Sequence, residues 1–230
     1  MSMIKAEKLV KSYHNGEADF KVLKGLDLEV KAGEFITITG RSGSGKSTLL
    51  YQLGLLDHPT SGSVFLDGVN TAELDRVERI QFRLNKLGYI FQDYAILPDL
   101  SAVENVMLPL LMQGLDQFQA HAKAAVALER VQMGHRLDNL PSQMSGGEQQ
   151  RVSIARALAH APKIMFADEP TANLDSETSE VIMQTFIDLN KAGQTIVMVT
   201  HEPEYAEIGH RTITLSDGVI VDTDVNHKLK

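Results

Sequence analysis

An eight-residue stretch, Gly40-Arg41-Ser42-Gly43-Ser44-Gly45-Lys46-Ser47, separates a β-branched run, Phe35–Thr39, from a segment with helical character, 47–56. Its glycines let successive backbone N–H groups turn inward and form a nest for anions. A helix that starts where the loop ends adds the positive end of its dipole. The pattern G-x-x-x-x-G-K-[ST] in a strand–loop–helix setting therefore forecasts a phosphate-binding loop. Lys46 is expected to reach the β- and γ-phosphates and the Ser47 hydroxyl to ligate Mg²⁺. Gly40, Ser42, Gly43, Ser44, Gly45 and Thr48 are the accompanying phosphate-site candidates. A glycine-rich loop that binds nothing is the bland alternative, and the strand–loop–helix setting argues against it.

The rest of the chain suits an α/β fold. Leu26–Val30 alternates and reads as a half-buried strand; Gly62–Gly68 reads as a strand ending in an Asp67-Gly68 turn. Val77, Ile80, Leu84 and Leu87 recur at helical spacing, and Tyr89–Phe91 is a short apolar strand. From about Leu100 to His160 helical patterns dominate, for example Phe118, Ala122, Ala125 and Val126, with Pro109 expected to interrupt the first helix. Lys163–Ala167 is again a strand, Ser176–Ala192 a helix with Ile182, Phe186 and Leu189 on one face and Gly193 at its stop, and Thr195–Thr200 a strand. Thr212–Leu215 and Val219–Val221 flank Asp217-Gly218, a hairpin signal. The last residues, 218–230, are expected to end in a polar, partly ordered tail. Strands alternating with helices at both ends imply a largely parallel sheet, with an antiparallel element at the start and a helical insertion in the middle.

Composition narrows the classes. Among 230 residues there is no Cys, which excludes disulfides, thiolate metal sites and a cysteine nucleophile. The longest apolar stretches, such as Leu108–Met112 and Ile196–Val199, are too short to span a bilayer. Residues 1–9 carry Lys5, Glu7 and Lys8 and lack a signal-peptide core, so a cytoplasmic product is expected. With Lys plus Arg 22 against Asp plus Glu 30, the net charge of −8 argues against general nucleic-acid binding.

Ile164–Glu169 is a buried run that delivers Asp168 and Glu169 at its carboxyl end, where ligands sit in open α/β sheets. Asp168 is a candidate to hold Mg²⁺ through water, and Glu169 to orient and deprotonate an attacking water. Alone, an Asp-Glu pair is usually a solvated turn; the loop upstream changes that balance.

Ser145-Gly146-Gly147-Glu148-Gln149-Gln150-Arg151 lies 23 residues before Asp168 and, with these motifs, resembles the signature of ATP-binding cassette proteins over nearly the whole chain. The resemblance implies an α/β P-loop NTPase fold. It has a RecA-like core with an antiparallel β element, about 1–91 and 162–230, and an inserted helical subdomain, about 93–161, in one domain of residues 1–230. It implies an ATPase that uses ATP and Mg²⁺. Tyr13 matches the aromatic that stacks on adenine, with Val22 nearby. Gln92 matches the glutamine that touches Mg²⁺, Asp175 ends the loop that crosses a dimer interface, and His201 matches the histidine at the γ-phosphate. Singly, each has a bland reading: a strand aromatic, a surface glutamine, a structural histidine. Ser145, Gly146, Gly147 and Glu148 match the signature that closes over the ATP of a second copy. Glu148 and Met144 depart from the commoner Gln and Leu. Ser145-x-x-Glu148 is also a capping box, so a helix N-terminus would face the phosphate.

The 99 residues from Lys46 to Ser145 hold no sustained heptads, unlike chromosome-type heads; translation factors of the family carry two cassettes, and an inactive regulator would lack Glu169 or His201. The motor of a membrane transporter or mechanotransmission complex is therefore expected. Leu55–Gly62, Ser145–Arg151 and Pro170–Asp175 resemble the MacB, LolD and FtsE group. That resemblance implies a separate FtsX-like membrane permease, no nucleic-acid partner, and a cytoplasmic cassette peripheral on the membrane. Export, lipoprotein release and control of envelope hydrolases stay open. The partner surface is expected around Asp93–Glu104, where Asp93, Asp99 and Glu104 otherwise read as solvated charges.

Overall fold

The computed structural model describes residues 2–16 and 18–226. The chain divides into two compact units, Met1–Ile80 with Asn190–Lys230, and Gln81–Leu189.

The first unit begins with β1 (Ser2–Asn15) and β2 (Ala18–Lys31), followed by β3 (Phe35–Thr39), α1 (Lys46–Leu53), β4 (Ser61–Leu66) and β5 (Val69–Asn70). Strands β2, β1, β4 and β5 lie side by side in that order, all antiparallel. Asp67 (φ 50°) and Gly68 (φ 79°) make the two-residue turn from β4 to β5, which requires positive φ at both positions. After residue 190 come β8 (Thr195–Val199), α7 (Pro203–Ala206), β9 (Arg211–Ser216) and β10 (Val219–Val225). Strand β3 is parallel to β8 on one side and β9 on the other, and β10 returns antiparallel on β9. Phe35, Ile36 and Ile38 of β3 and Ile196–Val199 of β8 are wholly buried. Such continuous β-branched runs are what a parallel sheet covered on both faces demands. Leu49, Leu50 and Leu53 of α1 join this core.

Helices α2 (Arg76–Lys86) and α6 (Ser176–Lys191) carry the chain between the units. The second unit holds β6 (Leu87–Ile90) parallel to β7 (Ile164–Asp168), and α3 (Ala102–Met112), α4 (Gln117–Arg130) and α5 (Gly146–Leu158), which contact one another. All five residues of β7 are buried, and Phe166 and Phe186 are fully enclosed. Burial of each such phenylalanine is worth about 2–3 kcal/mol.

Two expectations are corrected, the break at Pro109 and the place of Leu87, and two others are completed. Helix α3 runs through Pro109, because the proline sits in the last turn and forfeits one backbone bond while Val106 and Leu110 on either side share one buried face. Helix α2 has the forecast period but buries nothing: Val77 is 65% exposed, and Leu87 opens β6 instead. A reciprocal cap holds its start, Glu78 N–H donating to Asp75 Oδ1 and Asp75 N–H to Glu78 Oε2, each at 2.8 Å. In α4 the buried face is Ala120, Ala124, Ala127 and Leu128, while Phe118 and Val126 are exposed. Alanines let neighbouring helices approach, and the large residues are left outside. The tail is strand β10 as far as Val225; residues 227–230 lie outside the described residues.

Candidate functional site

In the first unit β3 ends at Thr39 and the chain turns at Gly40, φ 144°. A Cβ at Gly40 would lie 2.1 Å from the Leu215 carbonyl oxygen and 2.8 Å from Ser44 Oγ, so only glycine fits. Helix α1 starts after Gly45 with no side chain capping it. Lys46 is 7% exposed, and its ammonium donates to the carbonyls of Gly40, at 2.9 Å, and Arg41, at 3.1 Å. The Ser44 hydroxyl is buried without a hydrogen-bond partner. A buried donor left unsatisfied costs about 1–3 kcal/mol, unless a ligand accepts from it. An orphaned hydroxyl, a buried ammonium and an uncapped helix start converge on one loop, and this donor set fits a polyanionic phosphate.

Val22 backs the same loop: a Cβ on Gly45 would approach Val22 Cγ1 to 3.2 Å. Tyr13 is half-exposed, and its hydroxyl donates to Asp57 Oδ2 at 3.0 Å. The Lys11 ammonium stands 4.8 Å from the ring centroid. Burial, with the Asp57 carboxylate, raises the Tyr13 phenol above its ordinary value. The fold thus ties the expected aromatic to Asp57, four residues past the end of α1. His201 follows β8, is exposed, and lines a cavity of about 360 Å³ with Thr39, Thr212, Asp224 and Asn226.

In the second unit β7 delivers Asp168, 6% exposed, and then Glu169 in the left-handed region, φ 46°. Such a backbone is uncommon for a residue with a side chain and costs about 1–2 kcal/mol. Gln150, wholly buried on α5, donates to the Pro170 carbonyl at 2.7 Å and so fixes the chain just past Glu169. Helix α5 opens with the forecast capping box: Glu148 N–H donates to Ser145 Oγ at 3.2 Å, and Ser145 N–H to Glu148 Oε2 at 2.9 Å. The Ser145 N–H holds the Glu148 carboxyl below its ordinary value; burial opposes, and Arg136, at 3.2 Å, adds to the lowering. The Asp175 carboxylate accepts from the Thr178 N–H and hydroxyl, both at 2.9 Å. Thr178 in turn stands against Gly147, where a Cβ would lie 2.2 Å from Thr178 Cγ2, which joins the signature segment to the Asp175 loop. Gln92 is exposed, and its carbonyl accepts from Asn173 Nδ2 at 3.1 Å.

Sequence reasoning missed the supports of the segment after Gln92. Tyr94 (φ 58°) and Ala95 (φ 51°) are both left-handed, and the Arg156 guanidinium donates to their carbonyls at 3.2 and 2.6 Å. Asn105, wholly buried, accepts from the Leu97 N–H and donates to the carbonyls of Leu97, Leu100 and Ser101. The buried Asn, out of place on an apolar helix face, was the available signal. Glu104, expected on a partner surface, has its carboxylate on the Ser101 N–H and hydroxyl as the cap of α3.

An ABC transporter family model matches residues 23–172, a span with the phosphate loop, the Ser145 cap, Asp168 and Glu169. The chain belongs to the ABC transporter family. It is similar to the lipoprotein-releasing system ATP-binding protein LolD of Aquifex aeolicus, 49% identical over 88% of this chain and 90% of that one. It is also similar to the macrolide export ATP-binding/permease protein MacB of Syntrophobacter fumaroxidans, 46% identical over 96% of this chain, which spans 31% of that longer protein. Among solved structures it is similar to a dimeric post-hydrolysis state of the ATP-binding cassette MJ0796 bound to ADP and phosphate. That likeness has a TM-score of 0.91 and 41% identity and covers 99% of both chains. The fold is the P-loop ABC ATPase fold, and the chain is an ATP-binding cassette.

Proposed function

We propose that this cassette hydrolyses ATP to drive a separate FtsX-like membrane permease, in lipoprotein release or export, from the cytoplasmic face of the membrane. Among the described residues no helix is long and apolar enough to cross a membrane. The observation that carries the reading is the loop around Lys46, where a buried ammonium, a Ser44 hydroxyl without a partner among the described residues and an uncapped α1 come together.

On this reading the Gly40–Thr48 loop cradles the phosphates while Tyr13 and Val22 receive the base. Ser47, Gln92 and Asp168 would hold Mg²⁺, a hard cation that suits hydroxyl, amide and carboxylate oxygens. The ion supplies charge neutralisation on the phosphates when bound. Glu169 orients and deprotonates the attacking water, and the left-handed backbone at Glu169 fixes its approach. His201 contacts the γ-phosphate. Ser145–Glu148 and Asp175 face the nucleotide of a second copy, and the positive end of the α5 dipole at Ser145 favours an anion there. Closing on ATP and reopening after hydrolysis is then a ligand-biased two-state change.

Glu169→Gln is the test. The variant should bind ATP, lose most hydrolysis and accumulate a dimer in size-exclusion chromatography with ATP. Hydrolysis at the rate of the unmodified chain would remove Glu169 from the role.

A further inference from the structure

We infer that Lys11 and Asp57 are positioning residues for the base platform, holding the Tyr13 ring by one face and one edge so that only its other face receives a purine. The inference rests on the proposed role of Tyr13 in binding the base.

Four contacts support it. The Lys11 ammonium lies 4.8 Å from the Tyr13 ring centroid, within cation–π range. It is itself fixed, with hydrogen bonds to Asp57 Oδ1 and to the His58 carbonyl, both at 2.8 Å, and its side chain is only 11% exposed. Asp57 Oδ2 takes the Tyr13 hydroxyl at 3.0 Å, so one carboxylate bridges ammonium and phenol. A tyrosine on a strand surface ordinarily samples several rotamers. Here the ring is held by Asp57, four residues past the end of the helix that begins at the phosphate loop, so its place is set before any ligand arrives.

The ammonium also acts on the ring electronically. Stacked π faces repel through their like quadrupoles. A cation on one face draws the ring's electron density toward itself and weakens that repulsion on the opposite face, where the base would lie. Pre-ordering the ring further lowers the entropy cost of binding. Both effects act on the base and neither on the triphosphate.

That division gives the test. Binding of ATP and of inorganic tripolyphosphate, each with Mg²⁺, is measured calorimetrically on the full chain and on Lys11→Met, Lys11→Arg, Asp57→Asn and Tyr13→Ala. A cation–π contact of this kind supports a weakening of ATP binding by about three- to tenfold in Lys11→Met, with tripolyphosphate affinity unchanged. Lys11→Arg, which keeps both the cation and the carboxylate partner, should restore ATP binding. Asp57→Asn keeps the side-chain volume and should follow Lys11→Met in the same direction. Unchanged ATP affinity in Lys11→Met beside a loss in Tyr13→Ala would overturn the inference and leave the base reading standing. Unchanged ATP affinity in Tyr13→Ala would overturn the base reading itself. Equal losses for both probes would show a general effect on the loop, and a gain in ATP affinity would show the ammonium competing with the base; either overturns the inference.

Discussion

Substituting Gly147 by alanine sets two effects of similar size against each other, and the structure decides which wins. Alanine in place of a helical glycine gains up to about 1 kcal/mol of propensity, less in a first turn. The new Cβ, however, would stand 2.2 Å from Thr178 Cγ2. Thr178 has no neutral escape, because turning its methyl away takes its hydroxyl off Asp175, where it bonds at 2.9 Å. Overpacking costs about 1–3 kcal/mol and a lost hydrogen bond about 0.5–1.5 kcal/mol. The net loss is therefore about 1–2 kcal/mol, read as a lower urea midpoint at constant slope and a melting temperature lower by about 3–6 °C. The second variant isolates the cause. Thr178→Ser deletes the colliding methyl and keeps the hydroxyl on Asp175. In that background Gly147→Ala should cost less than about 0.5 kcal/mol, a coupling of at least about 0.5 kcal/mol in the double-mutant cycle. Destabilisation by Gly147→Ala that Thr178→Ser fails to relieve would refute the steric account, and so would a neutral Gly147→Ala.

Two further outcomes are expected. The folded-state pKa of Glu148 lies below the ordinary 4.5, so its contribution is complete above pH 4.5 and is lost as pH falls through the lowered value. The stability gap between the unmodified chain and Glu148→Gln, measured by urea melts, should therefore narrow as acid is added below 4.5. Asn105→Ala strips four hydrogen bonds from residues 97–101, each worth about 0.5–1.5 kcal/mol. Amide exchange at Leu97 should lose its protection in that variant; retained protection would show that the loop holds itself.

Where local chemistry dictates local structure, the sequence could be read. The Asp67-Gly68 and Asp217-Gly218 turns, the run Phe35–Thr39 and the Ser145-x-x-Glu148 box each carry their own instruction: positive φ, β-branching or a reciprocal cap. The phosphate loop belongs here too, since Gly40 and Lys46 shape it from within. Reading failed where a residue's surroundings come from far along the chain. Strands β1 and β2, 14 residues each, pair through several register shifts that blur the period-2 pattern, so only Leu26–Val30 stood out. Periodicity assigned α4 as a helix and left open which face it would bury, because that depends on α3 and α5. The Tyr13 supports share this character: Lys11 is two residues away, but Asp57 lies 44 residues on.

The Tyr94–Ala95 turn shows where such information is stored. Two consecutive residues with side chains take a backbone that glycine favours, at about 1–2 kcal/mol each. The compensation comes from Arg156, 61 and 62 residues away, through two charge-assisted bonds worth about 1.5–3 kcal/mol each. The two sums are comparable, so the turn leans on Arg156 as well as on its own backbone bonds, Tyr94 N–H to the Phe91 carbonyl and Ala95 N–H to the Asp93 carbonyl. The turn is thus specified at one remove, by a planar fork that reaches both carbonyls; a lysine at 156, a single point charge, would not serve both alike.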